Sequence, residues 1–364
     1  MNIDATVAID ARLVGGTAGG VEHLVAGLAS GLSRLRDGNE RYLFLTHRAS
    51  QSWLSPYVKG GCEIVDLGPN PGFTAKALIA SLSPTLNRTW WRSLERILQS
   101  GRPPSPPPYD RTLEKLGAHL IHFTRQDAFL TRIPSIYHPH DLLHLHYPRF
   151  FSDEEIQARD ASYRRYCHQA SMVAAASSWT RNDVVACFGL PESQVQVVPL
   201  APTLEIVREP KAAEIEQARR RFKLPARYVM YPAQMWPHKN HLGLVEACAL
   251  LRDKHHMLVP MVLVGRRTEY SATIDRRIRE LDLGGLVMLT GYVSAGQLRC
   301  LYSTATCLAI PSMFEAGSFP MWDAVLTGVP VAASTVTSLP RQAGGAAVLF
   351  DPTSPEEIAE ALAS

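Results

Sequence analysis

Pro311-Ser-Met-Phe-Glu-Ala-Gly-Ser-Phe-Pro-Met-Trp-Asp-Ala-Val-Leu-Thr-Gly-Val-Pro-Val331 places two carboxylates, Glu315 and Asp323, eight positions apart around a turn of small residues. The apolar run Cys307–Ile310 ahead of it has the length of a buried strand. The pattern after Pro320 predicts a short helix ending at Gly328, since glycine accepts the left-handed backbone of a helix C-cap. Glu315 then lies on a strand-to-helix loop, and Asp323 lies about one turn into the helix. The N–H groups of Ala316, Gly317, Ser318 and Phe319 sit at a helix N-terminus, where backbone donors and the macrodipole suit a diphosphate. Two neighbouring carboxylates can accept hydrogen bonds from sugar hydroxyls. Together these residues imply a site for a nucleotide-sugar.

Outward from this stretch, strand-like and helix-like patterns alternate, which predicts parallel sheets covered by helices. In the first half, Thr6–Ala11, Tyr42–Thr46, Glu63–Leu67, Leu120–Phe123, Ser135–Tyr137 and Met172–Ala176 read as strands. Gly20–Leu35, Glu154–Gln169 and Arg181–Phe188 read as helices. In the second half the predicted strands are Tyr228–Pro232, Met261–Val264, Val287–Thr290, Cys307–Ile310 and Val329–Ala333. The predicted helices there are Lys211–Arg221, Leu242–Arg252, Thr273–Leu281 and Ala295–Ser303. The two halves meet near Val197–Pro202, where two prolines favour an extended connection. The expected domains are therefore 1–198 and 199–364, and a cleft between them is the expected ligand site.

The chain has 364 residues, enough for two sizeable cores, and its charged share of 20% is ordinary for a globular protein. A formal net charge of +3 is too small to point to nucleic acid. Six scattered cysteines without a CxxC pair argue against a zinc site or disulfide framework and fit a reducing cytoplasm. No signal-peptide pattern opens the chain, and no run has the apolar length to span a bilayer. One segment, Leu86–Leu98, mixes Trp90 and Trp91 with Arg88, Arg92 and Arg96 ahead of the proline-rich stretch 100–109. It reads first as an ordinary helix packed by its Trp and Leu face. The rival reading is a basic amphipathic helix on a membrane surface, giving a peripheral contact at the inner face.

Four further stretches carry candidate chemistry. Gly15–Gly20, between the first strand and a helix, lets backbone approach a phosphate closely. Tyr137–His144 puts His140 and Asp141 at a strand end, suited to a cleft-facing hydrogen-bonding role. Histidines 138, 140, 144 and 146 present no regular face for a metal, and the expected metal set is none; His144 and His146 read as surface. Tyr231–Asn240 reads as strand, turn and helix start, with Pro237 and Asn240 as the start signals and Lys239 in the first turn. A cation gains nothing from the dipole there, so its presence makes sense beside a bound anion. Gln234 shares that turn. Finally, the strands ending at Gly265 and Gly291 bring Arg266, Tyr292 and Val293 to the sheet end that faces a ligand crevice.

With these residues in place the chain resembles the retaining nucleotide-sugar glycosyltransferases of glycosyltransferase family 4 ("glycosyl transferases group 1"). Their GT-B architecture is α/β, with two Rossmann-like doubly wound domains facing each other across a cleft. The likeness runs from about residue 5 to the end and is strongest from Tyr228 to Pro352. Tyr231–His241 is similar to a subset that includes mannosyltransferases of surface polysaccharide assembly. The resemblance implies that Glu315 contacts donor-sugar hydroxyls, Asp323 binds ribose, and backbone N–H groups near Gly317–Phe319 hold sugar and phosphate. It implies that Lys239 neutralises the departing diphosphate, His140 faces the reacting sugar, and the Gly19-Gly20 loop closes over phosphate. Tyr292 and Val293 would read the base through backbone groups. The implied donor is GDP-mannose, with UDP-sugars open, and the implied acceptor is a saccharide or lipid-linked oligosaccharide. No cofactor beyond this co-substrate is expected.

Departures from the family pattern are specific. Asp323 stands where Glu is usual, Gln234 where Arg is common, and Arg341 where Glu often follows the Ser-Leu-Pro segment. Arg266 is the candidate replacement cation. Glu-Ala-Gly-Ser replaces Glu-Gly-Phe-Gly. The resemblance also implies a further helix or two after Ala363, so the chain reads as truncated or as lacking an interdomain clasp. These departures keep two rivals open: a degenerate nucleotide-sugar-binding subunit, and a GT-B sugar-nucleotide epimerase.

Overall fold

The computed structural model describes residues 5–16, 19–47, 51–68 and 111–364. The Trp90/Trp91 segment and the proline-rich stretch 100–109 lie outside the described residues. The chain forms two compact units. The first comprises Met1–Pro139, Ser152–Ala174 and Phe188–Gln196; the second comprises His140–Phe151, Ala175–Cys187 and Val197–Ser364. Two short segments from the first half of the chain therefore pack with the second unit.

In the first unit the strands are β1 (Thr6–Asp10), β2 (Arg41–Thr46), β3 (Cys62–Asp66), β4 (Leu120–Phe123), β5 (Ser135–Tyr137), β6 (Met172–Ala175) and β7 (Val195–Val197). They form one sheet in the order β3-β2-β1-β4-β5-β6-β7. The pairs from β3 through to β6 are parallel. Ile9, Phe44 and Cys62 pack with Val25 and Ala29 of the helix Gly20–Leu32, so strand and helix periodicities meet in one core. Asp10 ends β1 fully buried, its Oδ1 and Oδ2 each 2.8 Å from Arg12. Burial alone would raise that carboxyl; the Arg12 and Arg125 guanidinia outweigh it and hold the group low. β7 was not expected from sequence. Its Val195-Gln-Val pattern is half exposed at a sheet edge, too short to show a period.

The second unit holds β8 (Val229–Pro232), β9 (Met261–Val264), β10 (Val287–Gly291), β11 (Cys307–Ile310), β12 (Val331–Ser334) and β13 (Ala347–Phe350). The order is β10-β9-β8-β11-β12-β13, and every pair is parallel. The interior strand β9 is buried at all four positions, as a strand covered on both faces must be. Strand β12 starts at Val331 rather than Val329: Pro330 has no N–H to give, and its carbonyl accepts from Leu308 instead. The edge strand β13 escaped the sequence reading because Val348 and Leu349 are exposed.

One topological fact positions the site. Strands β8 and β11 lie side by side, yet the chain leaves β8 toward β9 and leaves β11 toward β12. The loops at their carboxyl ends turn opposite ways and leave a crevice, where open α/β sheets place their ligands. Those loops are Ala233–Asn240 and Pro311–Ser318. Close passage of the first loop over β9 depends on Gly265, which has φ +153° and whose added Cβ would lie 2.1 Å from the Ala233 carbonyl oxygen.

Candidate active site

Lys239 and Glu315, 76 residues apart, meet at this crevice, with Lys239 Nζ 2.6 Å from Glu315 Oε1. Both side chains are mostly buried, 21% and 11% exposed. Ser312 Oγ donates to the same carboxylate oxygen at 2.7 Å and lies 2.9 Å from the Tyr231 hydroxyl. The Tyr231 hydroxyl is also 3.0 Å from the Lys239 carbonyl oxygen. This closed ring of contacts ties the ends of β8 and β11 together. Burial, then the Glu315 charge, push the Tyr231 phenol well above its ordinary value, so it stays protonated.

Lys239 does not lie in the first turn of the α-helix, as sequence suggested. It ends a short 3-10 turn, Pro237–Lys239, and Asn240 is the N-cap of the helix His241–Asp253. Asn240 takes φ 55°, accepts from Gly243 N at 3.2 Å and donates to the carbonyls of Pro311 (3.0 Å) and Pro352 (2.8 Å). One side chain therefore caps the helix and sutures the two switch loops. The flanking histidines add no charge. Burial, helped by Lys239, pushes His238 down to about 3, and burial pushes His241 down to about 4. Lys239 alone gives this turn its positive charge at neutral pH.

His241 also sets a stability expectation. It is wholly buried against the Tyr231 ring. Its folded-state pKa, about 4, lies below the ordinary imidazole value of about 6.5. The unfolded chain therefore binds the proton first, and the contribution present above pH ~6.5 is lost as pH falls toward 4. Between pH ~6.5 and ~5 this residue should cost about 2 kcal/mol, at roughly 1.4 kcal/mol per pH unit. Urea melts of His241→Phe should show a pH slope shallower by about one proton; an unchanged slope would remove His241 as the cause.

The Glu315–Ser318 loop is held from three sides. The Glu315 carbonyl accepts from Thr337 Oγ1 (2.6 Å) and Ser338 Oγ (2.8 Å). The Ala316 carbonyl accepts from Ser177 Oγ (2.8 Å) and Thr180 Oγ1 (2.9 Å). Gln342 accepts from Ser318 N at 2.9 Å and donates to Ser318 O at 2.5 Å. Ser318 Oγ in turn caps the helix Phe319–Thr327 through Met321 N. The Ser318 amide is thus not free, whereas those of Ala316, Gly317 and Phe319 have no partner among the described residues. Phe314, just ahead of Glu315, is buried among Trp179, His146 and Tyr147, and the Tyr147 hydroxyl donates to the Met313 carbonyl at 2.9 Å.

Asp323 is buried and bonded to a turn near the start of the second unit's segment Val197–Ser364. It is 2% exposed, with Thr203 Oγ1 donating to Oδ2 at 2.6 Å and Leu204 N donating to Oδ1 at 2.9 Å. Both oxygens therefore hold the turn Thr203–Ile206. The other expected residues are placed as follows. His140, at φ 64°, opens the segment His140–Phe151 of the second unit, and Asp141 Oδ1 accepts from Leu143 N at 3.0 Å. Gln234 Oε1 accepts from Trp236 Nε1 at 2.9 Å. The Arg266 side chain is exposed, Tyr292 is exposed, and Val293 is buried. Gly19 (φ 56°) and Gly20 begin a helix of the first unit. Of the histidines, His144 is buried rather than at the surface, and His138 stacks on His122. His146 Nε2 lies 2.8 Å from Asp183 Oδ1, in a group with Cys187 whose donor atoms fall within 4.8 Å.

The two sheets are those of the GT-B fold. The chain is similar in structure to Anabaena HepE in complex with UDP and glucose, at 19% identity and a TM-score of 0.67, covering 97% of this chain and 88% of that one. It is also similar to a sucrose-phosphate synthase from Thermosynechococcus elongatus, at 19% identity and a TM-score of 0.66, covering 99% and 89%. The family model "Glycosyltransferase Family 4" matches residues 18–201, and "Glycosyl transferases group 1" matches residues 213–364. This chain belongs to glycosyltransferase family 4. It is 27% identical to O-antigen chain mannosyltransferase B of Escherichia coli over 60% of this chain and 58% of that protein. It is 24% identical to MMP alpha-(1->4)-mannosyltransferase of Mycolicibacterium hassiacum over 50% of this chain and 41% of that protein. The match thus spans less than two thirds of these relatives' lengths. Among the described residues no helix is long and apolar enough to cross a membrane.

Proposed function

We propose that the chain is a retaining glycosyltransferase that moves a hexose from a nucleotide-sugar bound at the β8/β11 crevice to a saccharide or lipid-linked acceptor in surface polysaccharide assembly. The observation that carries this reading is the Lys239–Glu315 pair, 2.6 Å apart beside a loop with open amides. The pair offers a cation for a departing diphosphate and a carboxylate for sugar hydroxyls. The amides of Ala316, Gly317 and Phe319 would take phosphate or sugar oxygens. Lys239 and these donors would stabilise negative charge as it develops on the leaving group, and that phosphate would deprotonate the incoming hydroxyl on the same face. His140 is proposed to face the reacting sugar. A ribose role for Asp323 is not carried forward. Mannose is the proposed sugar and GDP the proposed nucleotide, supported by the mannosyltransferase names among the relatives.

Thermal-shift titration against GDP-, UDP- and ADP-linked hexoses, followed by transfer assays, tests the reading. GDP-mannose should raise the melting temperature most. A larger shift with a UDP-hexose, as the HepE complex with UDP suggests, would replace the nucleotide but keep the reaction. Donor converted to an altered sugar without acceptor would make the protein an epimerase. Tight binding with no transfer to any acceptor would make it a binding subunit, which the Gln234 and Asp323 departures favour.

A further inference from the structure

The open amides of Gly317 and Phe319 share a property that the family resemblance does not supply. Each belongs to a peptide whose carbonyl is gripped by side chains from far along the chain. The carbonyl of the Ala316–Gly317 peptide is held by Ser177 and Thr180 at 2.8 and 2.9 Å. The carbonyl of the Ser318–Phe319 peptide is held by Gln342 Nε2 at 2.5 Å, and Gln342 Oε1 also takes the Ser318 N–H at 2.9 Å. A trans peptide is planar and points its C=O and N–H in opposite directions. Fixing the oxygen therefore fixes the hydrogen, and both donors are aimed before any ligand arrives. Such preorganisation removes the ordering cost that a mobile loop would meet on binding. The loop is also closely packed here: a Cβ on Gly317 would lie 3.0 Å from Ala176 Cβ and 3.0 Å from Leu200 Cδ1.

We propose that Gln342, Ser177 and Thr180 are positioning residues that aim the Gly317 and Phe319 amides at the diphosphate of the donor. This rests on the reading of the loop as a diphosphate site. Because none of the three side chains has to touch the ligand, their removal should weaken the diphosphate increment of binding and leave base recognition alone.

The test uses the full chain and two variants, Gln342→Met and the double substitution Ser177→Ala/Thr180→Val. Calorimetry measures binding of inorganic pyrophosphate, and of guanosine against GDP and uridine against UDP. In each variant pyrophosphate and the preferred nucleoside diphosphate should bind about tenfold more weakly, the worth of roughly one net hydrogen bond. Nucleoside affinity should stay within about twofold of wild type, a difference of only a few tenths of a kcal/mol. Unchanged pyrophosphate affinity in both variants, with wild type binding it, overturns the positioning role alone. Equal losses for nucleoside and nucleoside diphosphate also overturn it, because they show general damage to the fold. Wild-type protein that binds neither pyrophosphate nor any nucleoside diphosphate overturns the diphosphate reading and this inference together.

Discussion

Lys239→Ala is expected to lower the rate of sugar transfer by about 10²- to 10³-fold, the loss typical when one preorganised charge-stabilising donor is removed. The loss should fall on kcat more than on donor KM. Charge on the diphosphate grows as the glycosidic bond breaks, so an ammonium beside it is worth more in the transition state than in the ground state. The two neighbouring imidazoles cannot substitute, because burial holds His238 near 3 and His241 near 4 and both are neutral near pH 7. Some stability should be lost as well, because the pair is mostly buried and Glu315 keeps only its hydrogen bond from Ser312 Oγ at 2.7 Å, so the rate is read on protein that thermal melts show to be folded. Lys239→Arg should restore part of the rate, since charge is kept while the compact ammonium geometry is not. Steady-state rates alongside thermal melts separate the cases. Wild-type kcat in a folded Lys239→Ala protein would take this residue out of the mechanism.

The reach of the sequence is clearest at the two switch loops. Strand β11 was legible because Cys307–Ile310 is an apolar run between turn residues. The helix Phe319–Thr327 was legible because Pro320 and Gly328 bracket it, and Gly328 does take the left-handed φ of 71°. From these, Glu315 could be set on its loop and Lys239 near a helix start. Topology then brought them together, through parallel pairing of β8 with β11 that no local pattern encodes. What stayed hidden was the support. Ser177 and Thr180 reach the Ala316 carbonyl across 139 and 136 positions, and Gln342 reaches Ser318 across 24. A serine, a threonine and a glutamine carry no periodic signal, and their partners are backbone atoms, which are the same in every sequence. The surroundings of Asp323 stayed hidden for a related reason. Its spacing from Glu315 fits a ligand-facing carboxylate, but spacing says nothing about Thr203 and Leu204, 120 and 119 residues earlier, which occupy both oxygens.

A structural role for Asp323 has its own test. The carboxylate is nearly sealed from water, and it satisfies a buried hydroxyl and a buried backbone amide at the entry to the second unit. Asp323→Ala should therefore cost about 3 kcal/mol, because it leaves two donors buried without acceptors. Asp323→Asn should cost much less: its carbonyl can still accept from Leu204 N, and its amide can donate to the Thr203 oxygen. The pH dependence fixes the sign independently. Burial raises the Asp323 carboxyl above its ordinary value despite the hydrogen bonds from Thr203 and Leu204 and the charge of Arg299. The folded state thus binds this proton more tightly than the unfolded chain. The resulting contribution is full below the ordinary carboxylate pKa of about 3.9 and is lost as pH rises through the raised value. An asparagine does not titrate, so Asp323→Asn should gain on wild type as pH is raised from about 4 to about 7.5 in denaturant melts. If Asp323 instead served the ribose, Asp323→Asn would raise donor KM sharply while leaving the melts alone. A buried strut gives the reverse pattern: donor KM near wild type, a large stability loss in the alanine variant, and a small one in asparagine that shrinks with rising pH.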